Sequence, residues 1–144
     1  MKPIKILLVE DNEGDILLTT EALEEGQVPV RQSVVRDGKS ALDFLKKLTP
    51  YHNEFRPDLI LLDINLPKYS GLEVLKIIKN DDDLKSIPVI ILTTSSSESD
   101  INESYLNSAN CYITKPVDTV NFNLAMRKVE DFWMSFTKLP TQNI

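Results

Sequence analysis

Four short apolar runs in this chain end in residues able to do chemistry. Leu59, Ile60, Leu61 and Leu62 lead into Asp63, and Ile6, Leu7, Leu8 and Val9 lead into Glu10 and Asp11. Two further runs end in Thr93 and in Lys115 followed by Pro116. Brought together, these ends offer three acids, a hydroxyl and an amine. Three carboxylates in one place raise one another's pKa, and a hard divalent ion relieves that conflict. Mg2+ takes oxygen ligands, commonly carboxylates, waters and a phosphate oxygen. The main-chain carbonyl of Asn65 offers one more. The Lys115 ammonium and the Thr93 hydroxyl suit an anion beside the metal. That set is the equipment of phosphoryl transfer. A carboxylate can itself be the nucleophile, and Asp63, alone after the central run, is the one expected to act. No Gly-rich phosphate loop or Walker lysine is present, so the phosphoryl group is expected to arrive on a donor.

The runs can converge only if the chain folds as alternating strands and helices, and its pattern predicts that. Buried strands are expected over 4–9, 58–62, 88–93 and 111–114, with an alternating edge strand over 30–36. Between them fall amphipathic segments. One, capped by Asn12, covers 13–25 with Ile16, Leu17, Thr20 and Leu23 on one face and acids in its first turn. A second carries Ala41, Leu42, Leu45 and Leu48, and a third, over 71–80, carries Leu72, Leu75, Ile77 and Ile78. A capping signal at 95–98 opens a fourth, ending near Asn107. A last helix runs from Asp118 or Thr119 to about Ser135. Five βα units imply a doubly wound parallel sheet of flavodoxin-like order 2-1-3-4-5. Such sheets bind ligands at the carboxyl ends of their strands, at the switch point, where Glu10, Asp11 and Asp63 would meet.

The 144 residues suffice for one domain, with a core over 4–135 and a tail over 136–144. Hydrophobic residues are 42% and charged residues 26%, as in ordinary globular proteins. A net charge of −6 argues against nucleic-acid or anionic-membrane binding. Cys111 is the lone cysteine, so no internal disulfide forms. Neither a signal peptide nor a membrane-length apolar stretch is present, and a cytoplasmic location is expected.

At this point the chain resembles the receiver domain of two-component response regulators. The matching pieces are Leu8 to Asp11, Leu61 to Asp63 with Pro67 and Gly71, Leu92 to Thr94, and Thr114 to Pro116. The resemblance implies that Asp63 accepts phosphoryl from a phosphohistidine of a sensor histidine kinase. It implies Mg2+ held by Glu10, Asp11, Asp63 and the Asn65 carbonyl, with Lys115 pairing the phosphoryl group. Thr93 would move to bond that group, and Tyr112 would swing inward. Lys115–Pro116 would be a cis peptide. Asn65 and Ser95 would tune dephosphorylation. The segments 110–112, 131–133 and 139–140 are similar to the cyanobacterial phytochrome response regulators, which are stand-alone receivers. A phytochrome-like kinase is thereby suggested as partner.

The last helix carries Phe122, Ala125, Val129, Phe132 and Phe136 in one stripe, widened by Met126 and Trp133. An exposed apolar face usually marks a partner surface. A homodimer is expected through the fourth helix, fifth strand and last helix, with Phe122, Phe132, Trp133 and Phe136 at the interface. Output would run through dimerisation, a downstream protein or a phosphotransfer partner, and no separate metabolite would be turned over. A Mg-dependent aspartyl phosphatase would need an Asp-X-Asp motif and a cap, yet Asn65 stands two after Asp63. A flavin module would need an uncharged phosphate loop, whereas Glu10, Asp11 and Glu13 would repel phosphate.

Overall fold

The computed structural model describes residues 2–140; the end of the expected tail, 141–144, lies outside the described residues. Strands β1 (Ile4–Val9), β2 (Val30–Val35), β3 (Leu59–Leu62), β4 (Val89–Thr93) and β5 (Cys111–Thr114) alternate with five helices. These are α1 (Glu13–Glu24), α2 (Gly38–Leu45), α3 (Gly71–Lys79), α4 (Glu98–Leu106) and α5 (Thr119–Val129). All strand pairs are parallel, in the order β2-β1-β3-β4-β5. This is the expected fold.

Each helix begins where a short polar side chain takes the third amide after it. Asn12 accepts from Asp15 N (2.9 Å), Asp37 from Ser40 N (2.7 Å) and Ser70 from Glu73 N (3.2 Å). Ser97 accepts from Asp100 N (3.1 Å) and Asp118 from Asn121 N (2.9 Å). These caps satisfy amides that the first helical turn leaves without partners, and they start the chain's helices just beyond the loops that follow the strands.

The strands alternate their side chains between two cores. Leu7, Val9, Ile60, Leu62, Val89 and Ile91 pack with Phe44, Val74, Leu75 and Ile78 of α2 and α3. Ile6, Leu8, Leu59, Leu61, Ile90 and Leu92 pack with Ala22, Leu23, Phe122, Met126 and Val129 of α1 and α5. Burial on both faces explains why the strands read as continuous apolar runs. Helix α4 is the exception, with Ser104 as its buried residue. Beneath the sheet, Lys79 Nζ donates to the carbonyls of Lys85 (3.0 Å) and Ile87 (2.8 Å) and to Asn110 Oδ1 (3.1 Å). Asn110 Oδ1 also accepts from Val89 N (2.9 Å), tying the starts of β4 and β5 together.

Several local expectations are corrected. Helix α1 buries Ile16, Thr19, Ala22 and Leu23, and Leu17 is exposed because the inward stripe runs through Thr19 and Ala22, one position earlier than the expected Thr20. Helix α2 stops at Leu45 and Lys47 turns to φ 57°, leaving Leu48 outside and exposed. Ile77 is partly exposed at 36%, since Ile78 fills the inward position. Among the described residues the cis peptide is Thr49–Pro50, and Lys115–Pro116 is not cis.

The last helix is not one uniform helix. Beyond Val129 it widens into π-helical turns over Glu130–Phe136, closed by Thr137 N donating to Phe132 O at 2.8 Å. The buried Glu130 carboxylate accepts from Gln27 N (3.0 Å) and Val28 N (3.5 Å). Its Oε2 lies 3.6 Å from Arg127 Nη1. Gly26 makes room for it, since a Cβ there would overlap the carboxylate. The expected stripe is consequently split. Phe122 lies in the core beside the sheet, so it cannot serve the interface expected of it, while Phe132 and Phe136 are exposed.

The loop after β3 is pinned by close approach at Gly71. Its amide donates to Ile64 O (2.8 Å), and a Cβ would strike the Asp63 carbonyl oxygen and the Ile64 Cα. These are backbone atoms that cannot swing aside. Gly71→Ala is expected to lower the unfolding free energy by about 2–4 kcal/mol, read from the urea midpoint at unchanged slope.

Candidate functional site

Main-chain bonds carry the strand ladders one residue past each strand and so fix the site. Glu10 N donates to Val35 O (3.0 Å), Asp63 N to Val9 O (3.0 Å) and Lys115 N to Thr93 O (2.7 Å). Glu10, Asp63, Thr93 and Lys115 therefore stand side by side at the carboxyl edge of the sheet, all buried. This is the switch point of the topology, since β1 leads outward to β2 and β3 leads the other way.

Asp63 is held on both oxygens. Its Oδ1 accepts from Thr93 Oγ1 (2.7 Å) and Asn65 N (3.0 Å), and its Oδ2 accepts from Lys115 Nζ (2.8 Å). Lys115 Nζ also donates to Glu10 Oε1 and to Asp15 Oδ2 (3.0 Å). Glu10 Oε2 accepts from Asn12 N (3.2 Å). The charges respond accordingly. Burial pushes the Glu10 carboxyl up to about 7, with Lys115 working against it and the Asp63 charge adding to it. Burial also works to raise Asp63. The Lys115 bond and charge, the Thr93 hydroxyl and the Asn65 amide outweigh it, so Asp63 sits below the ordinary carboxylate range. Lys115 is raised above the usual lysine range because Asp63 and Glu10 overcome its burial.

The expected residues are thus largely brought together, with one change in arrangement. Glu10 and Asp63 gather on Lys115, whereas Asp11 is exposed beside them. Among the described residues no group of three or more His, Cys, Asp and Glu is already drawn together as for a metal. The donor set nevertheless fits a hard ion: the carboxylates of Glu10, Asp11 and Asp63 and the Asn65 carbonyl are all oxygen, and they outnumber the lysine charge. Asp15 was not anticipated in the site. It lies in the first turn of α1, where an acid is explained by the helix dipole alone.

Thr93 leads to Tyr112 through one residue. Ser95 N donates to Thr93 Oγ1 (3.4 Å), and the Tyr112 hydroxyl donates to Ser95 O (2.8 Å). Ser95 Oγ is anchored on Asp100 Oδ2 (2.6 Å) at the start of α4, and Tyr112 N donates to the Tyr105 hydroxyl (3.2 Å). On the far side of β5 lies an apolar groove lined by Cys111, Ile113, Ala125, Val129, Phe132 and Trp133. Phe132 stacks edge-on to Trp133 at 5.5 Å and lies 5.8 Å from Phe136. Burial pushes the Cys111 thiol up.

A doubly wound sheet with an aspartate clamped between a threonine hydroxyl and a buried lysine at its switch point defines a class of signalling domain. The response regulator receiver domain model matches residues 6–127, and the chain belongs to that family. It is therefore a receiver domain of two-component signalling. Over 138 residues it is 44% identical to the response regulator Rcp1 of Synechocystis sp., covering 96% of this chain and 94% of that protein. It is 38% identical to the probable methanogenesis regulatory protein FilR2 of Methanothrix harundinacea, covering 96% and 88%. The structure of the phosphorylated cyanobacterial phytochrome response regulator RcpA superposes with a TM-score of 0.94 at 48% identity, covering 97% of this chain and 100% of that one. The Mn2+-bound form of Rcp1 gives 0.93 at 43% identity, covering 96% and 100%. The resemblance to cyanobacterial phytochrome regulators thus extends over nearly the whole chain.

Lys115 is the cation that makes this pocket tolerable to bury. Lys115→Met would leave the Asp63 charge enclosed without its cation and push the Glu10 carboxyl further toward its neutral form. The expected loss is about 3–5 kcal/mol of stability near neutral pH, measured by denaturant unfolding against wild type.

Proposed function

We propose that the chain is a phosphoacceptor switch in which Asp63 takes a phosphoryl group from a phosphohistidine of a sensor histidine kinase. The observation that carries this reading is the clamp on Asp63, with Thr93 Oγ1 on one oxygen and Lys115 Nζ on the other. An Asp63 oxygen attacks phosphorus, the P–N bond of the donor breaks, and the departing imidazole keeps its electron pair and takes up a proton. Glu10, Asp11, Asp63 and the Asn65 carbonyl would hold Mg2+, which supplies positive charge for the phosphoryl oxygens when bound. Lys115 supplies positive charge from the protein itself. Relatives support both points: one structure is of a phosphorylated regulator and another of a Mn2+-bound one. The same relatives favour a phytochrome-like kinase as donor.

Thr93 is then drawn from the Asp63 carboxylate to a phosphoryl oxygen. Ser95 and Tyr112 follow, because Ser95 bonds both Thr93 and Tyr112. Local charge thus biases the packing of α4 on β5, a two-state element of the usual kind. Asn65 and Ser95 flank the acceptor and tune water access to the acyl phosphate, which hydrolyses on the protein itself. The face formed by α4, β5 and the last helix passes the signal on. Phe132, Trp133 and Phe136 pair it with a second copy, and a downstream protein or phosphotransfer partner reads it. A net charge of −6 disfavours nucleic acid and anionic membranes. Among the described residues no helix is long and apolar enough to cross a membrane. A cytoplasmic setting fits both facts.

Incubation with phosphoramidate or acetyl phosphate and Mg2+ is expected to add one phosphoryl group, roughly 80 Da, to the intact mass. The adduct is expected to be lost in Asp63→Asn. Absence of any adduct in wild type with both donors would refute the reading. Sedimentation velocity tests the pairing: wild type is expected to be dimeric and the Phe132→Ala, Trp133→Ala double variant monomeric. A wild type that stays monomeric at concentrations on the order of tens of micromolar, phosphorylated or not, would sink that part.

A further inference from the structure

The Lys115 ammonium has three N–H donors, and three carboxylates take them. Glu10 Oε1 takes one, Asp15 Oδ2 another at 3.0 Å, and Asp63 Oδ2 the third at 2.8 Å. The lysine side chain is only 2% exposed, so solvent offers little substitute for a lost partner. In the phosphoacceptor reading, on which this inference rests, two of these acceptors have another task. Asp63 receives the phosphoryl group, and Glu10 is among the residues that would hold Mg2+. Asp15 has neither task. It stands in the first turn of α1, its amide held by Asn12 Oδ1 at 2.9 Å, and its side chain is 26% exposed.

An arriving phosphoryl group draws on the same ammonium. The Asp63 bond to Lys115 must give way to it, while the Asp15 bond need not. Asp15 therefore holds the ammonium toward α1 and subtracts from the positive field at Asp63. Both carboxylate oxygens touch one nitrogen, and charges that close interact strongly in a buried site.

We propose that Asp15 is a positioning residue acting through Lys115, which competes with the phosphoryl group for the ammonium and slows both phosphorylation and hydrolysis at Asp63. In the first step an Asp63 oxygen bonds phosphorus and the donor's P–N bond breaks, the nitrogen leaving with a proton. In the second, water oxygen bonds phosphorus, the acyl oxygen leaves as the Asp63 carboxylate, and inorganic phosphate departs as protons pass to solvent. Both transition states place negative charge on the equatorial oxygens, beside Lys115. Freeing the ammonium from Asp15 accelerates both.

The test compares wild type, Asp15→Asn and Asp15→Glu, using phosphoramidate at a Mg2+ concentration beyond which the rate no longer rises. Intact mass follows formation of the adduct, then its decay after donor removal. Asparagine keeps the size and the acceptor oxygen but removes the charge. A roughly three- to tenfold rise in both rate constants is expected for Asp15→Asn, with Asp15→Glu returning both toward wild type. A residue that merely supported the fold would give slower phosphorylation and no such charge-specific rescue. Unchanged rates, or slower phosphorylation, in a folded Asp15→Asn protein would overturn the proposal. If circular dichroism shows that variant unfolded, Asp15→Ser carries the same expectation. A wild type that takes no phosphoryl group would instead overturn the phosphoacceptor reading, so the two failures are distinct.

Discussion

The structure turns on one buried ammonium. Lys115 brings a positive charge to the edge of the sheet, where burial penalises it. Three carboxylates make that placement stable, and each comes from a different part of the chain. Glu10 follows β1, Asp15 lies in α1 and Asp63 follows β3, while Lys115 itself follows β5. Removing one partner of a buried ion pair is costly because it leaves the other charge uncompensated. The pocket therefore requires correct register in all three strands, and a slip of one residue would turn a strand's side chains to the opposite face. Chemistry and topology are constrained by the same contacts.

The two cores do not grip all helices equally. Helices α1, α2, α3 and α5 each place several apolar side chains on the sheet, but α4 buries Ser104 and leaves Tyr105 and Leu106 exposed. What holds α4 near the site is polar: the Ser95 bond to Asp100 and the Tyr105 bond to the amide of Tyr112. Segments with few buried apolar contacts open at low free energy. The helix nearest Thr93 and Tyr112 is thus the one whose displacement disturbs the core least.

Much of this was legible in the residues. Strands buried on both faces announce themselves as apolar runs, and the residue that ends each run is necessarily at the sheet edge. That logic located Glu10, Asp63, Thr93 and Lys115 together. It missed Asp15 because a helical residue reaches the site by tertiary packing, and its local role as a first-turn acid already explained it. It placed Leu17 and Leu48 inward because periodicity allows neighbouring stripes, and only packing chooses among them. It treated the last helix as one stripe. The π-helical turns begin at Glu130, whose carboxylate takes the amides of Gln27 and Val28 over a hundred positions away, and no local pattern encodes that contact.

That distant contact has a mechanical side. Because Glu130 is fastened to the turn after α1 while Met134 is buried in the core and Trp133 packs against it, the turns carrying Phe132 and Phe136 are held to the domain at more than one point. Their aromatic rings are presented at a set angle before anything touches them. The entropy of ordering this segment is lost at folding and not again at docking. Any partner that met this face would find it already ordered.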